Sequence, residues 1–370
     1  MLNTLIDPPP ASAPRVLETA PLFVHTLWRT GGTYVWNKLR RGAFWAYHEP
    51  FHELLLTARP DQLEAQFQDN FSGRLRHPET ERQYFHEFPA APTGGVPFFA
   101  KSFSYDDYWL PETHAHPALR HYLQHLLSHA ADQGRRPAAK FCRSALRLGW
   151  LRQNFPAAHW GLLRAPRAQW ESYLSFAGKY FTTATLLVAG KTAHAPVMQP
   201  LQAALPVPRL DAETVAEELQ AYAHLLPHFE LDQQYFVFYY LWLAFLMETA
   251  AATDLILDLD LIQADAGARQ ALEARCAEVF AAPLDFADIH LPAYSQLSQP
   301  AEELQRVEAA VLACFSRELG DSYRARLTRF DPAAAPLSSA YRRLIDSVLA
   351  GRPLPAPPAF SFPAGPRPVD

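Results

Sequence analysis

Cysteine is nearly missing from this chain: three residues, Cys142, Cys276 and Cys314, among 370. An odd number so widely spaced fits neither a disulfide framework nor a zinc-ligand pattern, and points to a reducing compartment in which each serves as a small buried side chain. Glycine is scarce as well, at 15, and no stretch repeats at a fixed period, so solenoids and propellers are excluded. Neither sign of charge dominates. With 33 Lys and Arg against 38 Asp and Glu, the net charge of -5 gives no broad electrostatic footprint for duplex nucleic acid or an anionic membrane, so any anion site must be local. Long apolar runs are also lacking. The most apolar segment, Tyr235 to Met247, falls short of the roughly 18 residues a membrane span needs and reads as a buried helix, with Tyr235, Phe236, Phe238, Tyr239, Tyr240 and Trp242 as core. Met1 to Leu17 carries Asp7 and the run Pro8 to Pro10 in place of a basic stretch and an apolar core, unlike a secretory signal. These absences together predict a cytoplasmic protein with no membrane span.

What is present is apolar mass and proline. At 49% hydrophobic, the chain can build one large α/β domain with a sizeable core. The 33 prolines punctuate loops and crowd the end, so residues 1–19 read as a flexible N-terminal arm, 20–350 as the folded domain and 351–370 as a Pro-rich tail. Short apolar runs at Pro21 to Leu27, Ala43 to Tyr47, Ala138 to Cys142, His159 to Leu163 and Thr253 to Asp258 read as strands, with Pro97 to Ala100 a further candidate. Helical patterns follow at about 34–39, 117–131, 167–176, 212–226, 231–252, 267–280, 301–319 and 337–350. Residues 190–211, with four prolines, read as an exposed excursion, and 57–117 as helices and loops lining a cleft. Strands each followed by a helix predict a three-layer, P-loop-type α/β fold with a central parallel sheet and helical cap insertions. Ligands of such sheets bind at the carboxyl ends of the strands.

Three such ends carry chemistry. Arg29, Thr30, Gly31, Gly32, Thr33 and Tyr34 join a strand to a helix, where free backbone N–H groups and the helix dipole favour an anion. The glycines permit close approach of a phosphate, the threonines offer hydroxyls and Arg29 adds charge; read alone, a Gly-Gly turn after a strand is more often plain turn chemistry. The G-x-x-x-x-G-K-[ST] spacing of nucleotide triphosphatases is missing. Arg164 follows a second strand, with Pro166 opening a helix and Ser172 within it, a guanidinium fork and a hydroxyl suited to a phosphate. Glu49 ends the strand before Pro50 and is a candidate general base, with His48 and His52 as alternatives.

Taken as a pair, the Arg29–Tyr34 loop and the stretch from Phe155 through Arg164 to Ser172 resemble the sulfotransferase superfamily that uses 3′-phosphoadenosine-5′-phosphosulfate (PAPS), over about residues 21–50 and 138–176. The resemblance implies that Arg29 to Tyr34 hold the 5′-phosphosulfate, that Arg164 and Ser172 hold the 3′-phosphate, and that Glu49, twenty residues after Arg29, deprotonates the acceptor. Arginine rather than lysine in the first loop is similar to the tyrosylprotein and carbohydrate branch. The distal R-K-G-x-x-G-x-W-K-like segment of the cytosolic small-molecule branch has no counterpart here. The expected reaction is in-line transfer of a sulfuryl group to a hydroxyl or amine of a small-molecule or carbohydrate acceptor, with no metal. A phosphotransferase with an atypical phosphate loop, or an inactive nucleotide-binding relative, are the alternatives. Lys140, Arg143, Ser144 and Arg147, together with Lys101, are further candidates for contact with acceptor or cofactor, and His290 to Ser295 read as a surface loop or an adenosine contact. Asp254, Asp258 and Asp260 would alternate onto one strand face, while His114 and His116 have no carboxylate partner at ligand spacing.

Overall fold

The computed structural model describes residues 19–59, 84–175, 179–294, 297–327 and 337–350. The arm over 1–18, the tail over 351–370 and residues 60–83 of the anticipated cleft-lining region lie outside these.

Five parallel strands form the centre: β1 (Leu22–His25), β2 (Phe44–His48), β3 (Arg136–Phe141), β4 (Ala158–Leu163) and β5 (Leu255–Asp258), in the order β2-β3-β1-β4-β5. β1 is flanked on both sides, with Val24 opposite Lys140 of β3 and Trp160 of β4. Every residue of β1, β4 and β5 is buried, the pattern of a sheet covered on both faces. Adjacent residues of β4 show the two coverings, since consecutive side chains point to opposite faces. Trp160 meets Phe280 edge-on at 5.2 Å, whereas a Cβ added to Gly161 would lie 2.0 Å from Thr249 Cγ2. Glycine at 161 is thus what lets the helix Leu231–Ala252 rest directly on the sheet. Polar residues in this interior pair with one another: His25 Nε2 and His159 Nδ1 are 2.9 Å apart, and His25 Nδ1 is 2.9 Å from Ser144 Oγ. The fold is therefore a mixed α/β architecture with a central parallel sheet and many helices.

The helix Gly32–Arg41 carries the chain from β1 to β2, and Pro117–Asp132 leads into β3. The short helix Leu148–Asn154 lies between β3 and β4. The β4-to-β5 connection is the longest, running through Pro166–Ser175, Tyr180–Lys191, Gln199–Ala204, Val215–Leu225 and Leu231–Ala252. Helices Leu259–Ala264, Ala266–Phe280, Ala301–Arg326 and Ser339–Ala350 complete the described chain. Leu231–Ala252 has the 22 residues its helical pattern predicted and is long and apolar enough to cross a membrane, yet 89% of its most apolar window is buried within the protein. Its interior Glu248 accepts from the Tyr323 hydroxyl at 2.7 Å and pairs with Arg326 at 2.6 Å. All three cysteines are free and buried.

Two expectations about local structure fail. Pro97 to Ala100 is not a strand: Phe98 is left-handed at φ 66, which breaks an extended run, and a 3-10 turn follows over Lys101–Phe103. Residues 190–211 are not simply an exposed excursion. Ala195, Met198, Leu201, Leu205 and Val207 are buried, and the prolines at 196 and 200 open helical turns, where their missing N–H costs nothing.

Candidate functional site

The strand order creates a switch point. From β1 the chain runs towards the β2 edge of the sheet and from β4 towards the β5 edge, so the carboxyl ends of the adjacent strands β1 and β4 are where ligands of such sheets bind. The two segments singled out in the sequence are the loops that leave these ends.

After β1, Leu27 and Trp28 are buried and Thr30 Oγ1 donates to the Leu27 carbonyl at 2.8 Å, pinning the turn. Arg29 is left-handed at φ 62 and Gly31 at φ 110; a Cβ at Gly31 would also stand 2.5 Å from Leu259 Cδ1, so glycine is required there for both conformation and space. Among the described residues the helix beginning at Gly32 has no side-chain cap, and its first turn holds no acidic residue, an arrangement that favours an anion at its positive dipole end. Arg29 Nε donates to Ser172 Oγ at 2.8 Å, and its guanidinium sits 5.6 Å from the centre of the Phe181 ring.

After β4, the buried Arg164 reaches back to the first loop, donating to the Arg29 carbonyl at 3.2 Å and to the Pro292 carbonyl at 3.2 Å. Its Nε has no hydrogen-bond partner among the described residues. Gln169 Nε2 ties the helix after Pro166 to the Trp28 carbonyl at 2.7 Å, and Asp260 accepts from the Ala165 N–H. Arg29, Arg164, Ser172 and the start of the helix at Gly32 are thereby gathered at one place from positions up to 143 residues apart.

Glu49, at the end of β2, is also left-handed, at φ 56, held by its N–H donating to the Lys140 carbonyl at 2.7 Å. Its carboxylate accepts from Lys140 Nζ, from the Cys142 N–H at 2.9 Å and from Arg143 at 3.3 Å. Burial alone would raise this carboxyl's pKa, but Lys140, Arg143 and the Cys142 N–H outweigh it and hold the group down at about 2. Arg143 lies wholly buried against the rings of Tyr105 and Trp28, and also donates to Glu53 at 2.7 Å and to the Tyr180 hydroxyl at 3.1 Å. Tyr180 in turn donates to Glu53 at 3.0 Å. Lys140 connects this group to the loop after β1, since a Cβ on Gly32 would stand 3.0 Å from Lys140 Cδ. His48 Nε2 lies 3.5 Å from Thr33 Oγ1, and burial, reinforced by Lys140, pushes its pKa well down, so the imidazole is neutral. His52 is lowered to about 4, chiefly by burial, and its Nδ1 accepts from the Leu54 N–H.

Other candidates are placed elsewhere. Tyr34 turns away from the loop and donates to Asp288 at 2.6 Å. Lys101 pairs with Glu218, Ser144 with His25, and Arg147 donates to the carbonyls of Phe103, Ser104 and Arg143, all internal duties. Asp254, Asp258 and Asp260 do not share a strand face: Asp254 accepts from the His159 N–H, Asp258 caps a helix by accepting from Leu261, and Asp260 belongs to that helix. His116 does acquire a carboxylate, Asp107 at 3.1 Å, brought close by a turn that spacing could not reveal. Asp106, Asp211 and Glu218 gather three carboxylates, and Lys191 Nζ sits among them at 2.8, 2.6 and 2.8 Å as their cation. Sequence reading missed Glu53, Tyr180 and Trp28; the only signal was that Glu53 lies one turn beyond Glu49.

Comparison with protein-family models, curated proteins and solved structures returns no match for this chain.

Proposed function

We infer that this protein is a PAPS-dependent sulfotransferase with a three-layer, P-loop-type architecture, moving a sulfuryl group to a hydroxyl or amine of a small-molecule or carbohydrate acceptor. The observation that carries the reading is the meeting of two strand-end loops at the switch point: Arg29 on Ser172, and Arg164 on the Arg29 carbonyl. Two guanidiniums and an uncapped helix start suit a ligand with two separate anionic groups better than a single phosphate. The Nε of the buried Arg164 is a donor with no acceptor among the described residues.

In this reading Arg29 to Thr33 receive the 5′-phosphosulfate, and Arg164 with Ser172 the 3′-phosphate. Lys140, running past Gly32, joins Arg29 in stabilising charge on the departing phosphate oxygen. The acceptor oxygen bonds to sulfur as the bond from sulfur to the 5′-phosphate breaks, its electron pair staying on the phosphate. Glu49 takes the acceptor's proton. With its pKa held at about 2 it is a weak base, which suffices because a hydroxyl oxygen bonding to sulfur becomes strongly acidic; the proton moves late, into the position now held by a Lys140 or Arg143 donor.

Isothermal titration with 3′,5′-diphosphoadenosine, beside ADP and ATP, tests the assignment. Preference for the 3′,5′-diphosphate, abolished in Arg164→Ala, is expected; equal or better binding of ADP or ATP would favour a phosphotransferase and sink the reading. Arg29→Ala should lower turnover far more than cofactor affinity, and equal losses in the two would refute its role on the leaving oxygen.

A further inference from the structure

His48, the last residue of β2, takes no part in the reaction as written above, yet its Nε2 lies 3.5 Å from the Oγ1 of Thr33, in the first turn of the helix Gly32–Arg41. Such bonds in catalytic sites are often long until a ligand tightens them. The imidazole is buried and set edge-on against three aromatic rings, Tyr84 at 4.6 Å, Trp36 at 4.7 Å and Phe85 at 6.1 Å. Its other nitrogen, Nδ1, is buried with no hydrogen-bond partner among the described residues. Burial, reinforced by Lys140, keeps the ring neutral, so one nitrogen carries the hydrogen and the other a lone pair. A hydrogen on Nδ1 would be an orphaned donor. A hydrogen on Nε2 has Thr33 Oγ1 to accept it and leaves only a lone pair unmatched, the less costly of the two in a protein interior. The tautomer decides what Thr33 can do. A hydroxyl that donates to Nε2 turns only lone pairs outwards, which repel an anion; one that accepts from Nε2 keeps its own hydrogen for an anion.

We propose that His48 is a positioning residue of the anion seat: as the Nε2–H tautomer it donates to Thr33 Oγ1 and so turns the Thr33 hydroxyl hydrogen towards an anion at the start of the helix Gly32–Arg41. In the sulfotransferase reading, on which this rests, that anion is the 5′-phosphosulfate. Thr33 is half-buried and reaches both the seat and the imidazole behind it, whereas His48 itself touches no ligand. His48 is then no alternative to Glu49 as the base, because one nitrogen is spent on Thr33 and the other is shut in.

A long-range proton–nitrogen NMR correlation of the full chain labelled at histidine nitrogen reads the tautomer directly, with His48→Gln identifying the signals. A protonated Nε2 and a bare Nδ1 are expected, and a protonated Nδ1 overturns the proposal. Isothermal titration with 3′,5′-diphosphoadenosine then tests the action through Thr33. Thr33→Val should weaken binding roughly tenfold or more, the loss of a hydrogen bond to a charged group. His48→Leu should weaken it roughly fivefold, while His48→Gln, which keeps an N–H of similar reach, should stay within about twofold of the parent. Added to Thr33→Val, His48→Leu should cost less than about twofold more, because its effect runs through the missing hydroxyl. Parent-like binding by His48→Leu overturns the proposal, as does an undiminished loss in the Thr33→Val background, which would make His48 a support of the fold alone. If the parent binds ADP as well as the 3′,5′-diphosphate, the sulfotransferase reading fails, whereas the NMR spectrum and the same cycle read with ADP still decide the part played by His48.

Discussion

Glu49→Gln isolates the most highly charged part of the buried site. The substitution keeps shape and removes one negative charge from a carboxylate that is 4% exposed, leaving Lys140 at 2% and Arg143 at 1% beside it. Removing one partner of a buried pair costs about 3–5 kcal/mol, because the remaining cations stay desolvated without their counter-charge. Arg143 keeps Glu53 at 2.7 Å, which places the expectation at the lower end, about 3 kcal/mol. The depressed pKa of Glu49 expresses the same pairing. Its depression from 4.5 to about 2 is worth roughly 3 kcal/mol, a contribution present above the unfolded value near 4.5 and lost as pH falls through the folded value near 2. Urea unfolding at pH 7 should therefore show a lower midpoint at unchanged slope, and the gap between parent and variant should narrow at pH 3. Adding Lys140→Met to Glu49→Gln should recover part of the loss by removing one uncompensated cation. A gap below about 1 kcal/mol, a gap that does not vary with pH, or a double variant weaker than the single would each refute the reasoning.

Gly161→Ala should destabilise the fold by about 1–3 kcal/mol or more, since the new methyl would meet Thr249 Cγ2 at 2.0 Å, and a thermal midpoint equal to the parent's would contradict the packing of Leu231–Ala252 on β4. The buried histidines make stability fall in mild acid. Burial, then charged neighbours, hold His25 well below 6.5 and His159 at about 3, so the unfolded chain takes up protons first and stability is lost as pH drops from about 6.5 towards those folded values. A urea midpoint that is level or higher at pH 5 than at pH 7 would count against this. Thr214→Ala removes the cap that accepts from the Glu217 N–H at 3.2 Å and should cost about 1 kcal/mol, read from the same denaturation curves.

The sheet was legible in the sequence because its strands are short apolar runs, each buried on both faces, and a run such as Ala158–Leu163 has few other uses. The helix Tyr180–Lys191 was not. It carries three threonines and a valine, poor helix formers, and a nearly uniform apolar character with no amphipathic stripe. It forms because almost every side chain is buried, and Thr185 turns its hydroxyl back to the Phe181 carbonyl at 2.8 Å, an accommodation visible only once the neighbours are present. Helix Leu148–Asn154 escaped for another reason: seven residues are too few for a period to register.

The same division runs through the candidate site. Arg29, Gly31, Arg164 and Ser172 could be found because each sits at a fixed offset from a strand end, and a parallel sheet turns such offsets into neighbours without information about loops. Glu53, Tyr180 and Arg143 meet their partners across loops and cap helices whose lengths obey no such rule. Arg143 shows the consequence. Its sequence position announced a charge near a strand end, yet its setting against two aromatic rings, between two carboxylates, depends on Trp28 from the first loop, Tyr105 from the region after β2 and Tyr180 from the β4-to-β5 connection. The part of the candidate site around Arg29, Arg164 and Ser172 is therefore written in the strand ends. The part around Arg143 and Glu53 draws on the connections between strands, where no such fixed offsets apply.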